Sequence, residues 1–423
     1  MRTRQLLALI LILLAACTSG GRTPPSGTGT PPGNAPTPAT QIPPPLGETA
    51  SSPGGPVPLR VWLPPQFSPD PASPAGALLK ARLDQFAEAH PEIQLIIRIK
   101  AETGPGGLLD SLKSTAAAAP DALPDLILMP LPILERAAAD GLLAPLPPLD
   151  ADWYDFAQQM AGEDNAVYAY PFAADALVMI YRASAADPPP RDWTTALGLS
   201  SPLIFAAGSP DALFTLALYQ AANGDVLDED GHARMAVPTL TAILEFYAQA
   251  HAQGILPAWS LDLLDEGEAY QAFREGRADF VISWLSNYLP EAVPGVGAAG
   301  LPTAGGVPYT LVRGWSWVIG NPSDAQRALA TELLQYLSAP EFMALWTAAA
   351  GYIPTRPSAL ALWPESPEAA MVSRVVLSGQ RLPPASVLEL SGGAVLPAIG
   401  QVIRDGIPPA EAAEQAAGQI NSP

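Results

Sequence analysis

One cysteine, Cys17, is the residue whose type and position most clearly indicate a chemical reaction. It directly follows Ala16, at the end of the apolar run Leu6–Leu14, which has a short basic start. That run is too short to span a bilayer as a stable helix and is typical of a secretory signal. A lone cysteine after small residues is typical of bacterial lipoproteins, in which the thiol receives a diacylglyceryl group. We therefore expect residues 1–16 to be removed and the protein to be lipid-anchored through Cys17 outside the cytoplasmic membrane. An ordinary signal peptide with a chance cysteine is the alternative.

Other groups of residues that could carry chemistry give weaker signals. The histidines His90, His232 and His251 are scattered and lack zinc-ligand spacing. The acidic stretch 225–232 misses the spacing of a calcium-binding EF-hand loop, so a polar turn is the simpler interpretation. The glycines in 104–107 lack the Gly-Lys-Ser/Thr of a phosphate-binding loop, and no Gly-x-Ser-x-Gly nucleophile motif occurs. The sequence therefore predicts no metal, no cofactor and no catalytic residue.

Composition separates a tether from an acidic globular part. From Thr18 to about Pro58 the chain is mostly Gly, Pro, Ser and Thr, so we expect residues 17–58 to be a disordered tether. The remainder is long for a single core and suits two lobes or domains. Hydrophobic residues make up 48% of the chain, and the globular part has no second long apolar run, so we expect it to be soluble. A net charge of −20 argues against nucleic-acid binding.

Strands and helices alternate along the first part of the globular region. Alternating apolar residues predict a strand over 93–99, and core spacing of leucines predicts a helix over 77–90. The same reasoning predicts strands over 59–63 and 125–129, and helices over 108–119, 133–139, 238–253, 323–337, 340–350 and 394–405. Repeated strand-helix units predict an α/β fold with a parallel sheet covered by helices.

Five motifs follow one another along most of the globular part. They occupy Phe86–Ile93, Pro124–Leu146, Val167–Arg182, Phe273–Ile282 and Gly351–Arg356. In content and order they resemble the bacterial extracellular solute-binding proteins of the maltose-binding type, which serve ABC importers. One departure is Arg182, which stands where the family usually has Asn.

The resemblance implies two α/β lobes joined by crossing hinge segments, with a cleft between them that closes on a ligand. It places one lobe at 59–172 plus 316–350 and the other at 173–315 plus 351–423. The implied function is that of a lipid-anchored, monomeric receptor, which passes a mono- or oligosaccharide to an ABC transporter permease. The alternative solutes are a polyol, a glycerol phosphate, a polyamine and an iron complex. An extracytoplasmic glycoside hydrolase with two carboxylates, or a degenerate binding protein kept as a sensor or scaffold, also remains open.

Six residues are candidates for the implied cleft. Asp175 occupies the acidic position of the third motif, where a carboxylate could accept hydrogen bonds from sugar hydroxyls; a helix N-terminal Asp is the alternative. The apolar face of a sugar stacks on aromatic rings, while its hydroxyls need polar groups such as a side-chain amide. The aromatic candidates, each with core packing as its alternative, are Trp62, Trp284, Trp315 and Tyr352, and the amide candidate is Asn287.

Overall fold

A computed structural model describes residues 55–162, 166–320 and 324–421 of the chain. The expected signal peptide, Cys17 and nearly all of the expected tether lie outside the described residues, and they stay predictions. The first strand begins at Val57, so the last two residues of the expected tether 17–58 belong to the fold.

Ten strands lie in the described part of the chain. They are β1 (Val57–Leu63), β2 (Ile93–Ile99), β3 (Leu126–Pro130), β4 (Ala169–Arg182), β5 (Leu203–Ile204), β6 (Phe280–Trp284), β7 (Val296–Ala299), β8 (Thr310–Ile319), β9 (Ile353–Pro354) and β10 (Gly379–Arg381). Fourteen α-helices accompany them in these residues. They are α1 (Pro74–Ala89), α2 (Leu108–Ala118), α3 (Leu131–Ala139), α4 (Asp155–Met160), α5 (Trp193–Leu197), α6 (Leu213–Ala221), α7 (Val237–Ala252), α8 (Glu266–Arg274), α9 (Asp324–Leu337), α10 (Pro340–Ala350), α11 (Pro357–Leu360), α12 (Pro367–Val375), α13 (Ala385–Gly400) and α14 (Pro409–Ile420).

The strands pair in the order β2-β1-β3-β8-β4-β6-β5. As predicted, β1 lies parallel to β2 and β3, whereas β8 is antiparallel to both β3 and β4. Beyond Ala176, β4 leaves β8 and pairs instead with β6 and β7. The first half of β4 therefore belongs to one sheet and the second half to another. We call the region built on β1–β3 the first lobe and the region built on β5–β7 the second lobe.

Three clusters of buried apolar residues cover the faces of the two sheets. Alternate residues of β4, such as Phe172 and Val178, lie in a cluster that covers one face of both sheets. Leu177 and Met179 face the opposite side and pack with α6, α7, α13 and α14 in the core of the second lobe. Ala169 lies in a third cluster, with α2 and α3 on the other face of the first sheet. The strand that joins the lobes is thus buried on both faces.

The helix predicted over 394–405 begins nine residues earlier than expected, at Ala385. The run Ser391-Gly392-Gly393 looks like a break in sequence, but Gly392 has a packing role. A Cβ there would lie 1.7 Å from the carbonyl oxygen of Pro210, so only glycine permits this approach. With the π-helical turn that follows, the helix is long and apolar enough in composition to cross a membrane. Its residues Val395 and Ile399 are nevertheless buried in the core of the second lobe, which is the placement of a globular core helix.

Candidate functional site

The two lobes meet where β4 and β8 cross from one sheet to the other. The parallel strands β1, β2 and β3 end at the same edge of the first sheet, which is the edge where open α/β sheets bind ligands. In the second lobe, β6 ends at Trp284, the register partner of Leu177. Leu177 directly follows the point where β4 leaves β8, so the loop after β6 begins at the crossing. We call the group of side chains around this crossing, described below, the crossover site.

An ion pair between a buried carboxylate and a partly exposed guanidinium lies at the centre of the crossover site. Asp175 on β4 and Arg313 on β8 are register partners. Oδ2 of Asp175 accepts hydrogen bonds from Nε and Nη2 of Arg313, at 3.2 and 2.9 Å. Ser286, in the loop after β6, donates its backbone N–H to Oδ1 at 3.0 Å and its hydroxyl to Oδ2 at 2.7 Å. The pair and the serine together join both crossing strands to the second lobe.

This geometry corrects the role expected of Asp175. Its side chain is 0% exposed, and both carboxylate oxygens already accept hydrogen bonds from Ser286 or Arg313. An Asp175 carboxylate that accepts hydrogen bonds from sugar hydroxyls in an open cleft is therefore not what the structure shows. Asp175 instead fixes the position of the guanidinium beside it.

Arg313 is the polar group that reaches solvent at this crossing. Its side chain is 34% exposed, and its guanidinium carbon lies 4.1 Å from the ring centre of Trp284 and 5.3 Å from that of Trp315. A guanidinium has five N–H donors. Only those on Nε and Nη2 that face Asp175 have an acceptor among the described residues. Arg313 can therefore donate hydrogen bonds to a bound molecule.

Sequence reasoning missed Arg313 as a site residue. The signal that could have identified it is its position as the one charged residue of the apolar strand Thr310–Ile319, two residues before Trp315. A charge inside such a strand needs a buried partner. Sequence alone does not show that the partner is Asp175 on the neighbouring strand.

Glu102 provides an acceptor on the first-lobe side. It follows the carboxyl end of β2, and its Oε1 accepts hydrogen bonds from Nε1 of Trp315 and Nε2 of Gln66, each at 2.6 Å. Its second oxygen, Oε2, has no donor among the described residues. Glu102 was not predicted, because its link to Trp315 spans 213 positions of the chain.

Tyr352 adds a hydroxyl group close to these charges. Its ring is stacked on Phe67, with centroids 5.7 Å apart, and meets Trp315 edge to face at 5.0 Å. Burial raises the pKa of Tyr352, as does the negative charge of Asp175, while Arg313 opposes both. The hydroxyl therefore stays protonated, and it has no hydrogen-bond partner in the described part of the chain. Tyr352 thus lies beside Trp315 at the crossover site, and its expected role in a ligand cleft stays a prediction.

The predicted tryptophans present little free surface. Trp62, Trp284 and Trp315 are 2%, 4% and 3% exposed. Trp284 and Trp315 flank Arg313, so their rings contact the guanidinium rather than lying open as stacking platforms. Trp62 packs in the cluster between the first sheet and α2, which differs from the cleft position expected of it. Trp317 lies two residues after Trp315 on β8, and alternation along a strand places both side chains on the same face. Both tryptophans lie in the cluster that covers one face of the two sheets.

Two further residues of the second lobe lie near the crossing. Asn287 is half-buried, and its Nδ2 donates to Oγ of Ser283 at 2.9 Å, which leaves its carbonyl oxygen without a donor among the described residues. Glu266, the first residue of α8, is buried, and this burial raises the pKa of its carboxyl group. The positive charge of Arg313 opposes that rise. Glu266 is thus a second carboxyl group near the guanidinium that sequence reasoning did not identify.

The acidic stretch 225–232 forms the polar turn that its spacing predicts. Ligand atoms of Asp228, Asp230 and His232 lie within 4.8 Å of one another at the surface. Oδ1 of Asp228, however, accepts the backbone N–H groups of Asp230 and His232, at 3.0 and 2.8 Å. These hydrogen bonds account for the clustering without an ion.

Solved structures of sugar-binding proteins share this architecture. Maltose-bound MalE3 of T. maritima is 19% identical, with a TM-score of 0.67 over 86% of this chain and 99% of that chain. The cyclic α-maltosyl-1,6-maltose binding protein from Arthrobacter globiformis is 19% identical, with a TM-score of 0.71 over 87% and 98% of the two chains. An ABC transporter solute-binding protein of Thermotoga lettingae, bound with α-D-tagatose, is 18% identical, with a TM-score of 0.67 over 86% and 99%. At these identities the likeness establishes the two-lobed α/β fold.

A family comparison extends this result from the fold to the family. A family model described as bacterial extracellular solute-binding protein matches residues 81–371, which is more than half of the chain. All five motifs that suggested the family lie within the matched residues. The family places the protein outside the cytoplasm and makes it a binding protein for a solute. The chain belongs to the bacterial extracellular solute-binding proteins of ABC transporters.

Proposed function

We propose that this protein captures a neutral carbohydrate in the crossover site and delivers it to the permease of an ABC importer. The observation that carries the proposal is the set of unused polar groups around one guanidinium. Arg313 supplies donors, Glu102 supplies an acceptor and Tyr352 supplies a hydroxyl that can do both. A sugar hydroxyl also donates and accepts, so a ring with several hydroxyls can satisfy all three groups.

The charge balance of the site favours a neutral solute over an anion. Asp175 already neutralises Arg313, and the same region contains the carboxyl groups of Glu102 and Glu266. A glycerol phosphate would therefore meet no uncompensated positive charge among these groups. The free-energy cost of removing water from its phosphate would not be offset by an ion pair. Three structural relatives are binding proteins for neutral sugars, namely maltose, cyclic maltosyl-maltose and tagatose. A polyamine remains the main competing solute, because the carboxyl groups could bind a cation.

A melting screen tests the proposed function. We expect maltose, maltotetraose, tagatose or a related neutral sugar to stabilise the protein by about 2.7 kcal/mol at a hundredfold excess over Kd. Sorbitol, glycerol 3-phosphate and spermidine represent the competing classes of solute. Stabilisation by spermidine or glycerol 3-phosphate, with no response to any sugar, would contradict the proposal. A 4-nitrophenyl glycoside included in the panel should release no nitrophenol, whereas turnover would favour the hydrolase alternative.

Replacing Glu102 with glutamine should weaken sugar binding about fivefold. The amide keeps an oxygen for Trp315 and Gln66, but the hydrogen bond to a sugar hydroxyl loses the assistance of the negative charge, about 1 kcal/mol. Titration calorimetry with the best sugar of the screen measures the change. Glu88→Gln, on the exposed side of α1, is the matched control and should bind like the parent. Equal affinities for all three proteins would remove Glu102 from the site.

We further propose that Cys17 carries the lipid that holds the mature protein at the membrane. The lone cysteine after Ala16 supports this anchor. Cys17→Ser should move the protein from the detergent phase to the aqueous phase in a phase-separation assay of the producing cells, because no acyl chains can be attached. Ala16→Ser keeps the thiol and a small residue before it, and should partition like the parent. If the Cys17 variant and the parent partition alike, the anchor lies elsewhere.

A further inference from the structure

A cavity of about 430 Å³ lies in the second lobe, apart from the crossover site. Its walls come from the end of β4, from β7 and the loop after it, from the segment 189–191 and from α12. Its volume lies within the range of small-molecule sites in proteins, about 300–1,000 Å³. The function proposed above makes no use of this cavity.

The cavity and the crossover site have no lining residue in common. Tyr181 lines the cavity six positions further along β4 than Asp175, which is roughly 20 Å at about 3.3 Å per residue. Ala299, which also lines the cavity, is nearer, because it pairs with Met179, four positions from Asp175. Since different residues form the two sites, a sugar and a second ligand could bind at the same time.

Two arginines with no carboxylate partner in the described part of the chain face this cavity. Arg191 and Arg374 both line it, and neither forms an ion pair or a side-chain hydrogen bond with any described residue. Other arginines of this acidic protein do pair with carboxylates, among them Arg136, Arg274 and Arg356. Two unpaired guanidinium groups at one cavity, in a chain of net charge −20, form a local site for an anion.

The remaining wall is mostly apolar. Leu301, Met371 and Val375 line it, together with several prolines and alanines. Tyr181 contributes a ring and a hydroxyl that has no hydrogen-bond partner among the described residues. Such a wall, with two cationic groups, suits a molecule with a flat apolar body and one acidic group. Two carboxylates lie nearby: Asp187 acts on Tyr181 with the opposite sign to Arg374, and Asp192 lies beside Gly306, which lines the cavity. Neither forms an ion pair with Arg191 or Arg374 in the described part of the chain.

We infer that this cavity binds a small organic carboxylate with an apolar ring, held by Arg191 and Arg374 through its carboxylate and by Met371 and Leu301 through its body. The inference is independent of the sugar proposal, because it uses none of the residues of the crossover site.

Three probes of equal size and different charge test the inference on the full chain. They are 2-naphthoate, 2-naphthalenemethanol and 2-naphthylmethylammonium, titrated by calorimetry at one fixed salt concentration. We expect saturable 1:1 binding of the naphthoate, with the alcohol and the ammonium at least about tenfold weaker, because only the anion gains charge-assisted hydrogen bonds. Saturating sugar should leave the naphthoate affinity unchanged.

Variants of the two arginines locate the binding. The double variant Arg191→Gln/Arg374→Gln should bind naphthoate at least about tenfold more weakly than the parent, with an unchanged melting temperature, because both side chains are exposed. Arg404→Gln removes an exposed charge far along the chain and should bind like the parent. The inference would be overturned if naphthoate showed no saturable binding, if the three probes bound equally, or if the double variant kept the parent's affinity.

Discussion

Replacing Arg313 with leucine is expected to lower the free energy of unfolding by about 3–5 kcal/mol, the usual cost of removing one partner of a buried ion pair. The reason is the environment of Asp175, whose carboxylate is fully buried and would keep only the two hydrogen bonds from Ser286. The same substitution should abolish measurable sugar binding, because it also removes the exposed donors of the crossover site. Denaturant unfolding without ligand and titration calorimetry measure the two effects separately.

The double variant Asp175→Leu/Arg313→Leu is the informative control for this result. Apolar residues in place of a whole buried ion pair are often neutral, so the second substitution should recover part of the lost stability. Recovery should be incomplete, because the two donors of Ser286 lose their acceptors. Sugar binding should stay absent in the double variant. Losses of stability that simply add, or a single Arg313→Leu variant as stable as the parent, would show that the pair is not the buried interaction described here.

Phe67→Ala is expected to lower the free energy of unfolding by about 3–5 kcal/mol and to weaken sugar binding as well. Phe67 lies in the turn after β1, where its ring contacts Phe172 and is stacked on Trp346 at 4.9 Å. It also supports two members of the crossover site, Trp315 at 5.4 Å and Tyr352 at 5.7 Å. The substitution therefore removes core packing and loosens the wall of the site.

A buried phenylalanine of the second lobe separates these two effects. Phe246 on α7 is stacked on Trp193 at 4.9 Å and contacts none of the residues assigned to the site. Phe246→Ala should cost a comparable amount of stability but leave the sugar affinity of the folded protein unchanged. If the two variants lose affinity equally, or if Phe67→Ala keeps full affinity, Phe67 does not support the site.

Local signals in the sequence predicted much of the secondary structure. The strand over 93–99 and the helix over 340–350 were predicted with their observed bounds. The helix has Pro340 in its first turn and ends at Gly351, whose φ of 73° suits glycine, so both ends have a local cause. The start of α13 was missed because the role of Gly392 depends on a contact with Pro210, 182 positions away.

The crossover site was only partly predictable for the same reason. The third motif drew attention to the strand with Asp175, but the burial of Asp175 and its ion-pair partner depend on the pairing of β4 with β8. The tryptophans were expected to stack on sugar because aromatic residues suit that role, yet two of them pack against a guanidinium that no local pattern identified. Glu102 is a single acid in ordinary surroundings of the sequence, and Glu266 is one of three acids in the run Asp265-Glu266-Gly267-Glu268 at a helix start. Their importance appears only when the loops of the two lobes come together.

The central claim is that a sugar is held between the two lobes, and a distance measurement between them tests it most directly. Spin labels at Ser114→Cys on α2 and Glu245→Cys on α7 report on the first and second lobes, and Cys17→Ser leaves these as the only thiols. A second pair, at Glu245→Cys and Gln415→Cys on α14, reports on the second lobe alone. Saturating sugar should shift and narrow the distance distribution of the first pair and leave the second pair unchanged, because closure of the cleft moves whole lobes. A first-pair distribution that is identical with and without saturating sugar would contradict the account.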